Sequence, residues 1–469
     1  MLTLSRSILR TIRAVARRAG LHKTRTAILS IMADAAGVRL RTASTEVALE
    51  YRHDGNFVPT SVCLPLAALD DIDGKGDDTI GLDAVAPDQV VVSWSDHGVS
   101  RQTKHEVAPQ SPVVFPARPA KFTPNDAALW TALRNAATAT DKSPSRYALN
   151  CVCMRGKLGR LDATDGRHIF SESGFDFPWD EELLVPAVGV LGCRELERSE
   201  PVTVGHQEDW VGFGVGPWLV MIRFQKEGRF PKIDDLLSRP DAAKSQLTLS
   251  DSDAKFLGDV LPRLPCDDVQ FDPITLDLNG RVLIRSRETA DGRPTEVELV
   301  SSRLSGEPVQ LHSNRRYLER ALRLGFRQLH LNGPDAPVLC TDQRRRFLWA
   351  LLDRKSAIPR HEDPIRISSS PTPSATSPPR TSTKAKTMTV SETSATATRL
   401  ASSVAARTKP VRPKCAGSPI EQTTLLRDAL RVAARQANEL LRSLKRQKRQ
   451  TRIVESTLAS LKELQKVAG

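Results

Sequence analysis

The stretch LDATDGRHIF, residues 161–170, gathers Asp162, Thr164, Asp165, Arg167 and His168 around one glycine. Carboxylates beside a histidine are raw material for general acid–base chemistry or for a divalent-metal site. Both uses need partners from elsewhere, and the sequence offers no second His/Asp/Glu cluster with ligand spacing. A third reading is binding without reaction. Asp165-Gly166 is ordinary turn chemistry, so Thr164 and Gly166 would sit in a tight strand-end turn with Ile169 as an apolar wall. Cys151 and Cys153 share one face of a predicted strand, but no second pair completes a zinc site, so they read as buried apolar residues. No catalytic residue, metal or cofactor is expected.

The elements that must hold this stretch repeat along the chain. Amphipathic helix patterns over 5–19, 125–138 and 250–262 each follow a capping Ser or Asn. Leu9 to Trp130 spans 121 residues, and Trp130 to Leu257 spans 127. A second, shorter helix follows Pro65, Pro186 and Ser313, again 121 and 127 apart. Between the helices lie strand pairs of alternating polarity, VRLRTASTEVALEY, GRLDATDGRHIF and VLIRSRETADGRP, as half-buried antiparallel sheets require. The glycines of EDWVGFGVGPWLVMIRF suggest a phosphate loop, but a strand follows where a helix N-terminus would be needed, so this is a hairpin. The expected fold is α+β: three tandem domains, 1–120, 121–245 and 246–356, each with two helices packed on antiparallel sheets.

The net charge of +13 divides unevenly. Residues 1–353 hold 45 Lys and Arg against 47 Asp and Glu, whereas 354–469 hold 23 against 8. A nearly neutral body therefore carries a strongly basic tail. Seven scattered cysteines do not form a secreted disulfide framework, and no apolar run is long enough to span a membrane. A cytoplasmic location, associated with the nucleoid, is expected. The first 33 residues contain no acid and form an Arg-rich amphipathic helix, the pattern of an organelle transit peptide. The repeat gives that helix a structural place instead.

Over about residues 1–354 the chain resembles the bacterial sliding clamp, the beta subunit of DNA polymerase III. SRYALNCVCM is similar to that family's R-Y-x-L-N-G strand, ATDGRHIF to its A-T-D-G-H-R-L motif, EGRFPKIDDLL to its G-R-F-P-D-Y stretch, and HSNRRYLERAL to its F-N-x-x-Y-L-x-x-x-L helix. The resemblance implies a non-enzymatic processivity factor that encircles double-stranded DNA as a head-to-tail homodimer ring. It also implies a pocket between the second and third domains for short peptides of polymerase, clamp-loader and repair proteins. Carried over position by position, Leu149, Thr164, Gly166 and Ile169 would form one side of that pocket. Pro231, Leu236, Phe271, Asn314, Tyr317, Leu348 and Ala350 would close it. Two departures stand out: Arg167-His168 reverses the family's order, and Ile233-Asp234-Asp235 replaces Tyr-Arg-Arg, so that Asp235 would select basic peptides.

Helices lining a ring would face phosphates and attract them without reading sequence. Arg6, Arg10, Arg13 and Arg17 form one stripe on the first helix. Arg194 and Arg198 in copy two, and Arg316, Arg320 and Arg323 in copy three, suggest similar faces. The acidic LAALDDIDGKGDD would repel DNA if it faced the hole. An alternative is a clamp-derived DNA-binding scaffold that closes no ring and assembles through its tail.

That tail reads as two parts. Residues 357–420, rich in Ser, Thr and Pro, cannot bury enough apolar surface to offset ordering entropy and are expected to form a disordered linker. Residues 421–467 carry Leu426, Leu430, Ala433, Ala437, Leu440, Leu444, Val454, Leu458 and Leu461, with the polar Gln447 and Thr451 on the same seam, at alternating four- and three-residue steps, a coiled-coil pattern. Its basic centre, RSLKRQKRQTR, suits phosphate, and without aromatic anchors it does not suggest a membrane helix.

Overall fold

The computed structural model describes residues 2–370, apart from 24–26, 73, 75, 97, 107–112, 143–146, 198, 238–242, 267, 269–270 and 290. The expected coiled coil and most of the expected linker lie outside the described residues. The body belongs to one compact unit, Met1–Pro378.

Copy one contains β1 (Leu2–Ser5), α1 (Arg6–Arg18), β2 (Ile28–Asp34), β3 (Gly37–Ala43), β4 (Val47–Asp54), β5 (Thr60–Pro65), β6 (Thr79–Ala86), β7 (Gln89–Asp96) and β8 (Val99–Glu106). Copy two repeats the plan with β9 (Thr123–Asn125), α2 (Ala128–Ala137), β10 (Cys151–Arg155), β11 (Arg160–Thr164), β12 (His168–Ser173), β13 (Glu182–Pro186), β14 (Val202–Gln207), β15 (Trp210–Val215) and β16 (Trp218–Arg223). Copy three has β17 (Ser245–Thr248), α3 (Asp251–Val260), β18 (Pro273–Leu278), β19 (Val282–Ser286), β20 (Thr295–Glu298), β21 (Arg303–Gly306) and β22 (Val309–Asn314). It continues with α4 (Arg315–Arg323), β23 (Gln328–Leu331), β24 (Val338–Thr341) and β25 (Arg345–Trp349), and a further strand, β26 (Ile365–Ser368), follows.

Each copy builds two half-sheets. The first has the order β5-β2-β3-β4, repeated as β13-β10-β11-β12 and β22-β18-β19-β20. The second has the order β1-β6-β7-β8, repeated as β9-β14-β15-β16 and β17-β23-β24-β25. The first half-sheet of one copy joins the second half-sheet of the next, through β4·β16 and then β12·β25. Both junctions share one antiparallel register: Val47↔Ile222 becomes His168↔Trp349 after the same shifts of 121 and 127 residues that relate the copies. Side chains explain the layering. In β2 and β3 burial alternates, because one face packs on the core and the other meets solvent.

The helices differ from expectation. α1 forms as its pattern requires: Ser5 accepts from the Ser7 N–H, and Leu9, Ile12, Val15 and Ala16 face the core. α2 and α3 match the predicted first helices, but the second helix is α-helical only in copy three. Copy one has a short 3-10 turn at Leu66–Asp70 instead, and copy two has two, at Gly189–Gly192 and Arg194–Leu196. Glycines account for the shortening in copy two. Gly189 lies so near α1 that a Cβ there would stand 2.3 Å from the Arg18 carbonyl oxygen.

The expected linker also begins later than residue 357. Ile358 is buried, Arg360 Nε donates to Asp277 Oδ2 at 2.8 Å, and β26 adds to the sheet of copy three. A buried isoleucine, an ion pair and a strand ladder offset the ordering cost that Ser, Thr and Pro alone cannot.

Candidate functional site

β10 and β12 are buried on both faces, which is unusual for strands of an antiparallel sheet. Val152, Met154 and Phe170 point into the main core. Their neighbours Cys151, Cys153 and Ile169 point the other way, into a second cluster with Leu184, Leu339 and Leu348. The connector after β16 roofs that cluster with Phe230, Ile233 and Leu237. Asp234 fixes the roof, accepting from Arg155 Nη1 at 3.1 Å and Arg160 Nη2 at 2.5 Å. Arg346 Nη1 donates to the Leu237 carbonyl at 2.9 Å. Cys151 and Cys153 are therefore packing groups, and burial pushes the Cys151 thiol up to about 12.

Where roof and sheet part, they leave a cavity of about 320 Å³. Thr164, Gly166, Ile169, Pro231, Leu236, Leu348 and Ala350 line it, together with Arg167, His168, Lys232, Ile233, Asp335, Pro337 and Leu351. Of the expected residues, Leu149, Phe271, Asn314 and Tyr317 stand outside this lining. Leu149 lies next to Gly166, its Cδ1 3.8 Å from where a Cβ on that glycine would be. The Arg167 guanidinium lies 5.6 Å from the centre of the Phe271 ring. Asn314 caps α4 by accepting from the Arg316 N–H, and Tyr317 packs on the His168 ring at 5.1 Å.

The turn is held by its own side chains. Gly166 takes φ +87°, a backbone conformation that disfavours other residues. Thr164 Oγ1 donates to the His168 carbonyl and accepts from the Gly166 N–H. Asp165 Oδ1 accepts from the N–H groups of Arg167 and His168 and lies 2.8 Å from His168 Nδ1. Burial would raise the Asp165 pKa, but these contacts hold it below the usual carboxylate range. Thr164 Oγ1 and Asp165 Oδ1 are thus both engaged in shaping the turn.

The expectation for Asp235 is corrected. That residue lines a neighbouring hollow with Arg155, Glu182, Lys226 and Arg229. The charged residues that line the cavity itself are Arg167, Lys232 and Asp335, and Asp335 is paired with Arg354. The sequence singled out Arg167 in its motif without giving it a place in the pocket, and it passed over Lys232, because single basic residues are common on any surface. The motif positions they occupy were the only signal.

No protein-family model matches this sequence, and no curated protein matches it. Solved structures do. The DNA polymerase III subunit beta of Pseudomonas aeruginosa superposes with a TM-score of 0.62 at 18% identity, over 75% of this chain and 99% of that one. The Thermotoga maritima beta subunit gives 0.60 at 14% over the same shares, and the Streptococcus pyogenes one 0.61 at 16%. One Pseudomonas aeruginosa sliding clamp, with a TM-score of 0.63 at 18% identity and the same coverage, was solved bound to griselimycin. The fold is the bacterial sliding-clamp fold.

Within the clamp fold, the arginines expected to face DNA divide into several groups. Arg6 is buried, donates to the Ser95 carbonyl at 2.7 Å and pairs with Asp78. Arg10 donates to the Gly74 carbonyl at 2.7 Å. Arg13 and Arg17 both hold Asp70 Oδ1, at 2.6 and 2.9 Å. The acidic segment that seemed to oppose DNA binding is thus the partner of the stripe on α1. Burial would raise the Asp70 pKa, but hydrogen bonds and charge from these two arginines hold it low.

Arg320 is also turned inward. It donates to the carbonyls of Asn135 and Thr138 and to Thr138 Oγ1, and faces His168 Nε2 at 3.1 Å. Burial pushes its pKa down to about 10. It fastens α4 to the C-terminal end of α2, whose carbonyls attract cations. Arg316 is exposed and pairs with Asp272, and Arg323 is exposed and pairs with Glu319. Arg194 is exposed, and Arg198 lies outside the described residues. Among the described residues no group of three or more His, Cys, Asp or Glu is placed to hold a metal, and no helix is long and apolar enough to cross a membrane.

Proposed function

We propose that this chain is a non-enzymatic processivity clamp that closes around double-stranded DNA as a head-to-tail ring of two chains. The series of junctions carries the reading. Two junctions of identical register join first half-sheet to second half-sheet, leaving β20 of copy three and β8 of copy one as the unmatched members. A heterologous contact of this kind generates a closed assembly when its rotation allows. The cavity roofed by the connector is then the docking site for partner peptides of polymerase, loader and repair type. An apolar floor of Ile169 and Leu348 suits one large anchor side chain, whose burial contributes about 1.5–3 kcal/mol. Arg167 and Lys232 favour an acidic residue beside it.

A second reading, a DNA-binding scaffold that closes no ring, draws on the internal pairing of the α1 stripe with Asp70 and Asp78. Protein loaded on circular DNA distinguishes the two. A ring resists high salt on closed circles and is lost when the circle is cut, whereas a phosphate binder leaves both forms alike as salt rises. The pocket is tested with Leu236→Ala, a substitution at a half-exposed wall residue that costs the fold little. Affinity for a synthetic peptide that presents one large apolar anchor beside an Asp should fall about tenfold, with DNA retention unchanged. Undiminished peptide affinity in Leu236→Ala and in Leu348→Ala would remove the pocket from the reading.

A further inference from the structure

β20 has a neighbour that the repeat does not supply. β26 runs beside it in parallel, with Thr295↔Ile365, Glu296↔Arg366, Val297↔Ile367 and Glu298↔Ser368. Every other strand pairing among the described residues is antiparallel. The Ile365 N–H donates to the Pro294 carbonyl at 2.9 Å, and the Ser369 N–H to the Glu298 carbonyl at 3.0 Å.

The approach to this strand is anchored along its length. The Leu352 N–H donates to the His312 carbonyl at 2.7 Å, and the Ile358 N–H to Thr275 Oγ1 at 2.8 Å. Arg360 pairs with Asp277, and Arg293 pairs with Asp363 at 3.0 Å. Burial would raise the Asp277 pKa, but Arg360 and Arg285 hold it low.

The edge that β26 covers is a particular one. β4 and β12, the counterparts of β20 in copies one and two, use that edge to pair with β16 and β25 of the following copy. Continuing the series would give it to β8 of a second chain. One edge accepts one strand, because each outward N–H and C=O has a single ladder partner.

We infer that β26 is a built-in cap on the ring-closing edge, and that β8 of a second copy pairs with β20 only after β26 has peeled away. This inference rests on the clamp reading. The cap is suited to release: β26 has four residues, all exposed, with Ile365 at 49% and Ile367 at 37%. Short exposed edge strands open locally at little cost. Tethering in the same chain still gives β26 a high effective concentration over a separate molecule. If the uncapped form is a minor state of about 1–10%, the cap weakens assembly about 10- to 100-fold.

The test uses the full chain and the variant Ile367→Pro, which removes a donor from the β26 ladder. Gln102→benzoylphenylalanine, at an exposed position of β8, supplies a photocrosslinker in both backgrounds. Two isotopically distinct preparations are mixed and irradiated, and crosslinks between chains are mapped by mass spectrometry. Hydrogen exchange over 295–298 reports the cap directly.

Ile367→Pro should speed exchange over 295–298 and raise the crosslink from Gln102 to 293–299 of the other chain at least about tenfold at equal concentration. Association through the tail alone would not direct Gln102 to that segment. Equal, strong crosslinking in both proteins would overturn the cap and leave the ring intact. Faster exchange without crosslinking in either would overturn both the cap and the head-to-tail ring. Unchanged exchange would show that β26 does not cover that edge, and the cap fails.

Discussion

Replacing Arg320 by alanine separates two uses of a helix arginine. Spacing on α4 suggested a phosphate contact, whereas the structure gives the guanidinium to Asn135, Thr138, His168 and the Phe347 ring. Hydrogen bonds from a charged donor contribute about 1.5–3 kcal/mol each, and three reach the end of α2. The Thr138 bonds are exposed enough for water to replace them, which places them at the low end. Burial has already depressed the Arg320 pKa to about 10, so part of the gross gain offsets desolvation. A net loss of about 2–3 kcal/mol is therefore expected for Arg320→Ala. Urea unfolding followed by tryptophan fluorescence would measure it. DNA affinity across a salt series would accompany it, and the slope of log K against log salt should not change. A midpoint within about 0.5 kcal/mol of the parent, together with a slope reduced by about one, would refute the reasoning and make Arg320 a phosphate contact.

Asp70→Asn should act in the opposite direction on DNA. Removing the carboxylate that holds Arg13 and Arg17 releases up to two cations, so affinity should rise at low salt and the slope steepen by about one to two; an unchanged slope would mean that this helix face never meets DNA. Glu172 gives a pH signature, because burial pushes its pKa up to about 7 despite Arg345 and Arg344 nearby. A raised folded-state value means that the stabilisation is fully present below the unfolded value, near 4.5, and is lost as pH rises through 7. Glu172→Gln should flatten the fall in stability between those limits, by about 1–3 kcal/mol; parallel pH profiles for the two proteins would contradict it.

Much of the architecture was legible because burial imposes periodicity. Helices at 121- and 127-residue offsets and strands of alternating polarity follow from the need to cover apolar faces, and a motif such as ATDGRHIF carries its own turn in Asp165 and Gly166. The connector FPKIDDLL was placed at the pocket only through its resemblance to the clamp family's stretch. Sequence could not show that Cys151, Cys153 and Ile169 form a second core on the outer face of the sheet, because periodicity does not say which faces are roofed.

Charge was the least legible property. The arginines of α1 lie more than fifty residues from Asp70 and Asp78, and a stripe that reads as a phosphate face is answered by acids that only the turn of the chain brings across. Arg320 reads as one more member of a stripe until α2 of the preceding copy lies against it. The Ser-, Thr- and Pro-rich segment after residue 356 reads as linker until Asp277, Arg293 and the edge of β20 tie down its first residues. Local patterns set where most of the helices and strands form and one face that each of them buries. Which charges meet, and which strand edge stays open, depends on contacts between distant parts of the chain, and those exist only once the copies have docked.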